Sequence, residues 1–152
     1  MRIAEPVLRP ATIDDVPAIV RLLADDALGQ ARESADEAVY KAAFAAIARD
    51  PNNTLFVIDA GGTVAGCAQL TIIPGLARRA ATRAQIEAVR IGSGHRGEGL
   101  GRWFMGALIE AARERGCKLV QLTSDKRRGD AHRFYESLGF AASHVGFKLT
   151  LD

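Results

Sequence analysis

The first third of the chain carries apolar residues at helical spacing. Residues 7–9 read as a short strand that Pro10 ends. Thr12 then begins a T-x-x-D pattern, similar to a capping box, and apolar residues follow every three or four positions. A second capping box begins at Ser34, and its helix is expected to end before Pro51. Two amphipathic helices are therefore predicted after the first strand.

The spacing changes to alternation in the middle of the chain. Strands are predicted over 55–59 and 63–73, and the Gly61-Gly62 pair between them favours a hairpin turn. A basic loop over 74–83 leads to another predicted strand over 85–91. These three strands are expected to be antiparallel neighbours, since short connections join them.

The last third returns to helical spacing and then alternates again. A helix is predicted from about Gly99 to Arg115, ended by Gly116. Beyond it follow a strand over 119–123, a helix that Asp130 caps and that runs through Leu138, and extended segments at 140–142 and 145–151. The order is β-α-α-β-β-β-α-β-α-β-β. It predicts an α/β (α+β) fold with a mostly antiparallel sheet of six to seven strands and about four helices.

Length and charge narrow the class of protein. The 152 residues are expected to form a single domain over 1–152. With 20 basic and 18 acidic residues the net charge is only +2, so nucleic acid is not an expected partner. No apolar run approaches the roughly 20 residues of a membrane span. The first residues lack a signal-peptide pattern, and we expect a cytoplasmic location.

The sequence offers no clear metal or disulfide framework. Cys67 and Cys117 lie fifty residues apart, and neither belongs to a CxxC pair. The three histidines share no metal-ligand spacing with the cysteines or with one another. Both cysteines have apolar neighbours, so we predict buried thiols, no disulfide and no metal.

Glycines crowd the start of the third predicted helix, where residues 95–104 read HRGEGLGRWF. Glycine loses more backbone entropy on folding than other residues, so such a cluster needs a reason. The first N–H groups of a helix have no intrahelical acceptor, and the helix dipole favours negative charge there. Arg96 and Arg102 flank the turn and can add charge-assisted hydrogen bonds. A phosphate or diphosphate site is therefore predicted.

Several nucleotide-binding patterns could account for such a site. The P-loop needs a Gly-Lys pair, which this sequence lacks. The dinucleotide pattern G-x-G-x-x-G occurs over 92–97, but the predicted fold has one parallel crossover where a Rossmann domain needs several. A dinucleotide-dependent enzyme is kept as a third hypothesis. The pattern R-x-x-G-x-G occupies 96–101.

Two segments together resemble the GNAT superfamily of N-acetyltransferases. The first is the R-x-x-G-x-G segment over 96–101, and the second is AHRFYESLGF over 131–140, which resembles the family's A-x-x-x-Y-x-x-x-G-F segment. The distance between the segments and the order of elements agree over about residues 3–150. Ser93 and Arg128 depart from the family, which often has proline and asparagine at these places.

The resemblance implies a GNAT-like fold and acetyl-coenzyme A (acetyl-CoA) as the acetyl donor. The family's segment holds the diphosphate through main-chain amides, and its fourth strand pairs with the pantetheine arm and supplies an N–H to the thioester carbonyl. The cofactor-binding residues implied here are Val89, Ile91, Arg96, Gly97, Gly99, Leu100, Gly101 and Arg102. The acetyl group would pass directly to the amine without an acyl-enzyme.

Tyr135 and Glu87 are the candidate catalytic residues. The resemblance places Tyr135 near the thioester sulfur, where it would protonate the leaving thiolate; alternatively it packs beside Phe134 and Leu138. Glu87 is the candidate base that takes the proton of the amine. Alternation predicts Glu87 on one strand face with Gln85, Val89 and Ile91, where burial of an acid is costly without a partner or a role. The alternatives are that Glu87 forms an ion pair with Arg83 or Arg90, and that a chain of water molecules acts as the base in its place.

Two basic clusters leave their roles open. Arg78, Arg79 and Arg83 precede the strand of Glu87 and could bind an acidic acceptor, or could form a solvated loop. Residues 126–128 could meet a phosphate of coenzyme A, or could form a solvated turn.

The resemblance favours an N-acetyltransferase that uses acetyl-CoA and acts on a primary amine of a small molecule or a peptide. A non-catalytic acyl-CoA sensor of the same fold is the alternative. A homodimer is a further expectation from the family. No membrane partner is expected.

Overall fold

The computed structural model describes residues 5–25, 33 and 36–152. The chain falls into two compact units, one through Gln121 and one from Leu122. The predicted capping box at Ser34 lies outside the described residues.

The first unit is built on a five-stranded sheet in the order β1-β2-β3-β4-β5. Its strands are β1 (Val7–Pro10), β2 (Asn53–Ala60), β3 (Thr63–Ile73), β4 (Arg83–Ile91) and β5 (Leu119–Gln121). The pairs from β1 to β4 are antiparallel, and β4 pairs with β5 in parallel. The mixed, mostly antiparallel sheet and the single parallel crossover are as predicted. Gly61 and Gly62 both have positive φ in the β2–β3 turn, which confirms the predicted hairpin.

Four α-helices of nine residues or more accompany the sheet in the described part of the chain. They are α1 (Val16–Ala24), α2 (Glu37–Arg49), α3 (Leu100–Glu114) and, in the second unit, α4 (Gly129–Ser137). A 3₁₀ turn over Ile13–Asp15 precedes α1, and a four-residue helical turn spans Ala77–Ala80. Asp130, predicted as the cap of α4, lies inside its first turn, because the helix already begins at Gly129.

The two predicted C-terminal strands are absent from the second unit. Residues 140–152 are described throughout and form no strand, so the sheet has five strands where six to seven were predicted. The apolar side chains of the predicted last strand do alternate, but they are 78–93% exposed: Val145, Phe147, Leu149 and Leu151. Alternation predicts only how a segment would sit in a sheet, and a strand also needs a neighbour for its backbone hydrogen bonds.

The core of the first unit lies between the sheet and its helices. Ile19 and Leu22 of α1 form one cluster with Val57 and Cys67 of the sheet. From α3, which packs on β4, three side chains are fully buried: Phe104, Met105 and Leu108. The helical spacing that predicted α1 and α3 therefore reflects one buried face on each helix.

A charged network ties β1 to the turn before α1 and to β2. The Arg9 guanidinium donates to Asp15 at 2.7 and 3.0 Å and to Asp59 at 3.0 Å. The Thr12 N–H donates to Asp15 Oδ2 at 2.7 Å, as the T-x-x-D pattern predicts. Asp15 is the buried charged residue of the described chain, and its hydrogen bonds offset the cost of that burial.

Asp15→Asn is expected to lower the free energy of unfolding at pH 7 by about 1.5–3 kcal/mol, because it removes a charged acceptor from Arg9. The Arg9 guanidinium holds the pKa of Asp15 below its usual 3.8. A carboxyl with a lowered pKa stabilises the fold above its unfolded pKa, and this contribution is lost as the pH falls through the lowered value. Urea unfolding at several pH values should therefore show the difference between wild type and variant shrinking below about pH 4.

Asp14→Asn is the matched control, because Asp14 lies in the same turn and is exposed. An equal loss of stability in both variants would contradict a specific role for the Arg9–Asp15 pair.

Candidate functional site

Strand β4 continues well past the end of its parallel partner. The β4–β5 ladder contains three residue pairs and ends at Gln85 with Gln121, whereas β4 runs on to Ile91. Arg83 donates to Gln121 Oε1 at 2.9 Å, and Gln121 donates to Gln85 Oε1 at 3.0 Å, so side chains also join the strands here. Over 86–91 this edge of β4 has no strand partner among the described residues. Its outer backbone groups can accept an extended ligand as an added strand.

A β-bulge interrupts the same stretch of β4 on its β3 side. Gln69 pairs with Glu87, and Cys67 pairs with Arg90. Two residues of β4 therefore lie between these pairs, whereas β3 has only one residue between them. Ala88, inside the bulge, has φ of +55°, a left-handed conformation that alanine rarely adopts. Bulges and strained residues of this kind are common next to active sites, where they redirect backbone and side chains.

The bulge corrects two expectations about β4. Ile91 pairs with Gly66 and Ile86 with Leu70, so Ile91 lies on the face of Ile86 and not on the face of Glu87 as alternation predicted. Glu87 is exposed, not buried in an apolar strand. The burial penalty used to select Glu87 therefore does not apply. Its place directly before the bulge remains the structural reason to consider it.

The glycine segment joins β4 to α3 through two left-handed residues. After a 3₁₀ turn over Ser93–His95, Gly97 has φ of +82° and Gly99, the N-cap of α3, has φ of +77°. A Cβ added to Gly97 or Gly99 would meet no atom within 4 Å. These glycines are therefore needed for their backbone conformation, and the space beside them is open. α3 begins at Leu100, so the N–H groups of its first turn have no acceptor within the helix and lie beside the glycines.

The arginines at the turn already have local contacts. Arg96 donates from Nε to the Ile91 carbonyl at 3.2 Å and lies 3.6 Å from Asp25. Arg102 lies on the exposed side of the first turn of α3. An anion that recruits Arg96 would have to compete with Asp25, and both of these side chains are about half exposed.

Two cavities border this region of the first unit. One, of about 690 Å³, is open and lies between α1, the β2–β3 turn and residues 92–95. The other, of about 250 Å³, lies at the start of α3 and is lined by Pro6, Glu98, Gly99, Leu100 and Trp103. Both ends of the glycine segment are therefore accessible to a ligand.

Tyr135 lies in the second unit, in the last turn of α4. The way this helix ends explains why a glycine follows Tyr135 four residues later. The Phe140 N–H donates to the Tyr135 carbonyl at 3.1 Å, and the Gly139 N–H donates to the Glu136 carbonyl at 3.0 Å. Gly139 has φ of +99°, which completes a Schellman motif. The Tyr135 ring packs at centroid distances of 5.4 Å from Phe134 and 6.0 Å from Phe140. The Schellman motif thus explains the Y-x-x-x-G-F spacing, and it fixes the backbone that carries Tyr135.

The predicted residues fall into two groups. Glu87, Val89 and Ile91 lie on the part of β4 without β5, and the segment 96–102 follows directly, so the first unit brings these together. Tyr135 belongs to the second unit. The bulge at Ala88 was missed, since alanine gives no sequence signal for a left-handed residue. The Schellman motif could have been recognised from Tyr135, Gly139 and Phe140.

Metal ligands and free thiols are the other groups that could carry chemistry in the described part of the chain. No group of three or more His, Cys, Asp or Glu side chains there could hold a metal ion. Cys67 is a buried free thiol and Cys117 a half-buried one. None of the described helices has both the length and the apolar character needed to cross a bilayer.

Comparison with known proteins finds a family model, sequence relatives and a solved structure that match most of the chain or a large part of it. The model of the Acetyltransferase (GNAT) family matches residues 16–140. Aminoalkylphosphonate N-acetyltransferase of Salmonella typhimurium is 28% identical over 144 residues, which cover 95% of this chain and 90% of that protein. Glucosamine 6-phosphate N-acetyltransferase of Trypanosoma brucei brucei is 36% identical over 90 residues, 59% of each chain. A crystal structure of a transcriptional regulator from Bacillus halodurans C-125 has 45% identity and a TM-score of 0.93, covering 97% of this chain and all of that one.

Gly139→Ala is expected to destabilise the fold by about 1–2 kcal/mol, because alanine must adopt the left-handed conformation that ends α4. Gly129→Ala is the control, since Gly129 is the first residue of the same helix and has no positive φ. Urea unfolding of the two variants measures the difference. Equal stabilities would contradict the Schellman motif as the reason for the glycine.

Proposed function

The chain belongs to the GNAT acetyltransferase family, and we propose that it transfers the acetyl group of acetyl-CoA directly to a primary amine of a small molecule or peptide. The observation that carries this proposal is the continuous path formed by the free edge of β4 and the glycine turn before α3. One segment of chain thus offers backbone groups for an extended arm and, next to them, a site for an anion.

In this proposal the diphosphate of acetyl-CoA binds at residues 96–102. The open space beside Gly97 and Gly99 and the helix start at Leu100 support the fit, since N–H groups there can approach phosphate oxygens closely. Gly101 lies within the first turn and Arg102 next to it, where a cation can add to the binding. Arg96 contributes once it exchanges Asp25 for a phosphate oxygen.

The pantetheine arm would lie along β4 beside Val89 and Ile91. We propose that the Val89 N–H donates to the thioester carbonyl oxygen, where negative charge develops as the amine attacks. Val89 has no partner on β3 in the strand register, and its own carbonyl accepts from Arg90 Nη1 at 2.9 Å. The paired residues on either side of it, Glu87 and Arg90, fix the backbone that carries this donor, so it costs little reorganisation during the reaction.

Glu87 is the proposed base. A primary ammonium has a pKa near 10.4, so at pH 7 little of the acceptor is the free nucleophile. The exposed Glu87 carboxylate lies next to the bulge and can take the proton of the amine directly or through water. Glu87 releases this first proton to solvent. As the C–N bond forms and the C–S bond breaks, the nitrogen gives up its second proton to Glu87, directly or through water, and the acetyl group is transferred.

Tyr135 is the proposed acid that protonates the departing thiolate. A coenzyme thiol resembles cysteine, with a pKa near 8.5, and tyrosine titrates near 10, so the proton transfer costs little. The Schellman motif and the two aromatic contacts fix the helix end from which Tyr135 projects. Its hydroxyl then returns to the protonated form by taking a proton from solvent.

The relatives' names direct the choice of acceptors to test first. Aminoalkylphosphonates and glucosamine 6-phosphate are both amines that carry a phosphorus oxyanion. Arg78 and Arg79 are exposed in the left-handed turn before β4 and are the candidate contacts for such an anion. A single domain, a homodimer and a cytoplasmic location stay predictions.

Gly101→Val is expected to raise the Kd for coenzyme A at least tenfold, because a branched side chain in the first turn of α3 keeps phosphate oxygens from the N–H groups. A lost charged hydrogen bond of roughly 1.5–3 kcal/mol corresponds to such a factor. Gly106→Val is the control in the same helix, where an added Cβ would meet no atom within 4 Å. Isothermal titration measures both, and an unchanged Kd for Gly101→Val would contradict the diphosphate site.

Tyr135→Phe is expected to lower kcat about a hundredfold while the Kd for coenzyme A stays near the wild-type value, since only the proton donor is removed. Phenylalanine keeps the ring contacts to Phe134 and Phe140. Release of free thiol from acetyl-CoA in the presence of an amine panel gives the rates. Tyr40→Phe on α2 is the control.

An unchanged kcat for Tyr135→Phe would remove Tyr135 from proton transfer. Binding of coenzyme A without turnover on any amine would favour the sensor over the enzyme.

A further inference from the structure

We propose that Gly66 and Cys67 on β3 form a clamp that maintains the bulge in β4 and so positions Glu87 and Val89 for catalysis. The role in catalysis rests on the proposed function, whereas the structural role does not. Both residues lie directly opposite the end of the bulge, where Cys67 pairs with Arg90 and Gly66 with Ile91.

Cys67 contacts both sides of the irregular stretch. Its Sγ lies 3.7 Å from the Ala88 carbonyl oxygen and donates to it, and Arg90 is the partner of Cys67 in the β3–β4 ladder. Burial raises the pKa of the Cys67 thiol to about 12, so the S–H donor is retained at neutral pH. Cys67 is 1% exposed and packs in the cluster with Ile19, Leu22 and Val57, which fixes the sulfur in place.

Gly66 allows β3 to approach the end of the bulge closely. A Cβ at this position would lie 2.9 Å from the Arg90 carbonyl oxygen and 2.7 Å from Ile58 Cδ1. The first distance is to backbone, so any side chain at residue 66 would push the end of β4 away from β3. Gly66 has no positive φ, and the close approach is therefore the reason for glycine here.

The bulge needs such contacts because its backbone is unfavourable by itself. Ala88 adopts a left-handed conformation, and neither Ala88 nor Val89 has a partner on β3. On its other edge β4 has lost β5 by this point. If β4 relaxed to a regular strand, the extra residue of the bulge would enter the ladder. Each residue beyond it would then turn to the opposite face of the sheet. The N–H of Val89 and the carboxylate of Glu87 would then change direction relative to each other.

The test compares Cys67→Ala and Gly66→Ala with wild type in two measurements. The first is the amide ¹H–¹⁵N spectrum without ligand, in which the signals of residues 87–91 should shift more than the rest of the sheet. The second is acetyl transfer, in which kcat should fall about 10- to 100-fold because small misplacement of reacting groups is costly. The Kd for coenzyme A should change less than kcat does, since the diphosphate site over 96–102 lies outside the bulge and only the pantetheine arm runs beside it.

Three further variants separate positioning from general loss of packing. Cys67→Ser retains a donor and acceptor and should recover most of kcat. Ile72→Val removes a methyl group from a buried position on β3 away from the bulge, and Cys117→Ala removes the other thiol. These two should change thermal stability slightly and leave kcat near wild type.

The amide spectra and the transfer rates test the clamp separately from the proposed function. Unchanged signals of 87–91 in both Cys67→Ala and Gly66→Ala would overturn the clamp, whatever the activity. Shifted signals with unchanged kcat would overturn its role in catalysis. If wild type transfers acetyl to no amine, the proposed function fails, and the amide signals alone still decide whether Gly66 and Cys67 maintain the bulge.

Discussion

The site depends on the early end of one parallel ladder. β4 and β5 share only the three pairs that end at Gln85 and Gln121, so the second half of β4 keeps its antiparallel partner on one edge and loses its parallel partner on the other. The free edge leads directly into the glycine turn and α3. Backbone groups that would otherwise complete the sheet are thereby available to a ligand, and the sheet on the other edge holds them rigidly.

Two irregular backbone features follow one another along this segment. The first is the bulge at Ala88, and the second is the turn with positive φ at Gly97 and Gly99. The glycines adopt this conformation at little steric cost, whereas Ala88 depends on contacts from β3. In our proposal the first feature orients groups for the reaction, and the second provides the anion site. Both concern the main chain, which explains why few side chains identify the site.

The sequence predicted the elements with strong local signals and missed those that depend on distant partners. The Gly61-Gly62 hairpin, the Gly116 end of α3 and the Thr12–Asp15 pattern are determined by a few adjacent residues and are confirmed. The last strand around Val145–Leu151 has the right alternation but no ladder. Alternation also placed Ile91 on the wrong face, because nothing in the local sequence marks the bulge.

The residues of the candidate site also differ in how far the sequence alone could identify them. The glycines and arginines over 96–102 predict an anion-binding turn from the sequence; the structure confirms the positive φ of Gly97 and Gly99, and the anion stays a prediction. Glu87 was chosen for a burial that the structure does not have, and its position beside the bulge became visible only with the strand register. The contacts of Gly66 and Cys67 with the backbone of β4 could not be predicted, because they depend on how two strands approach each other.

The most direct measurement is a crystal structure of the protein with coenzyme A. We expect the diphosphate oxygens within about 2.7–3.2 Å of main-chain nitrogens between residues 97 and 102, with the pantetheine arm beside Val89. Coenzyme A bound elsewhere, with this turn closed by Arg96 and Asp25, would contradict the account.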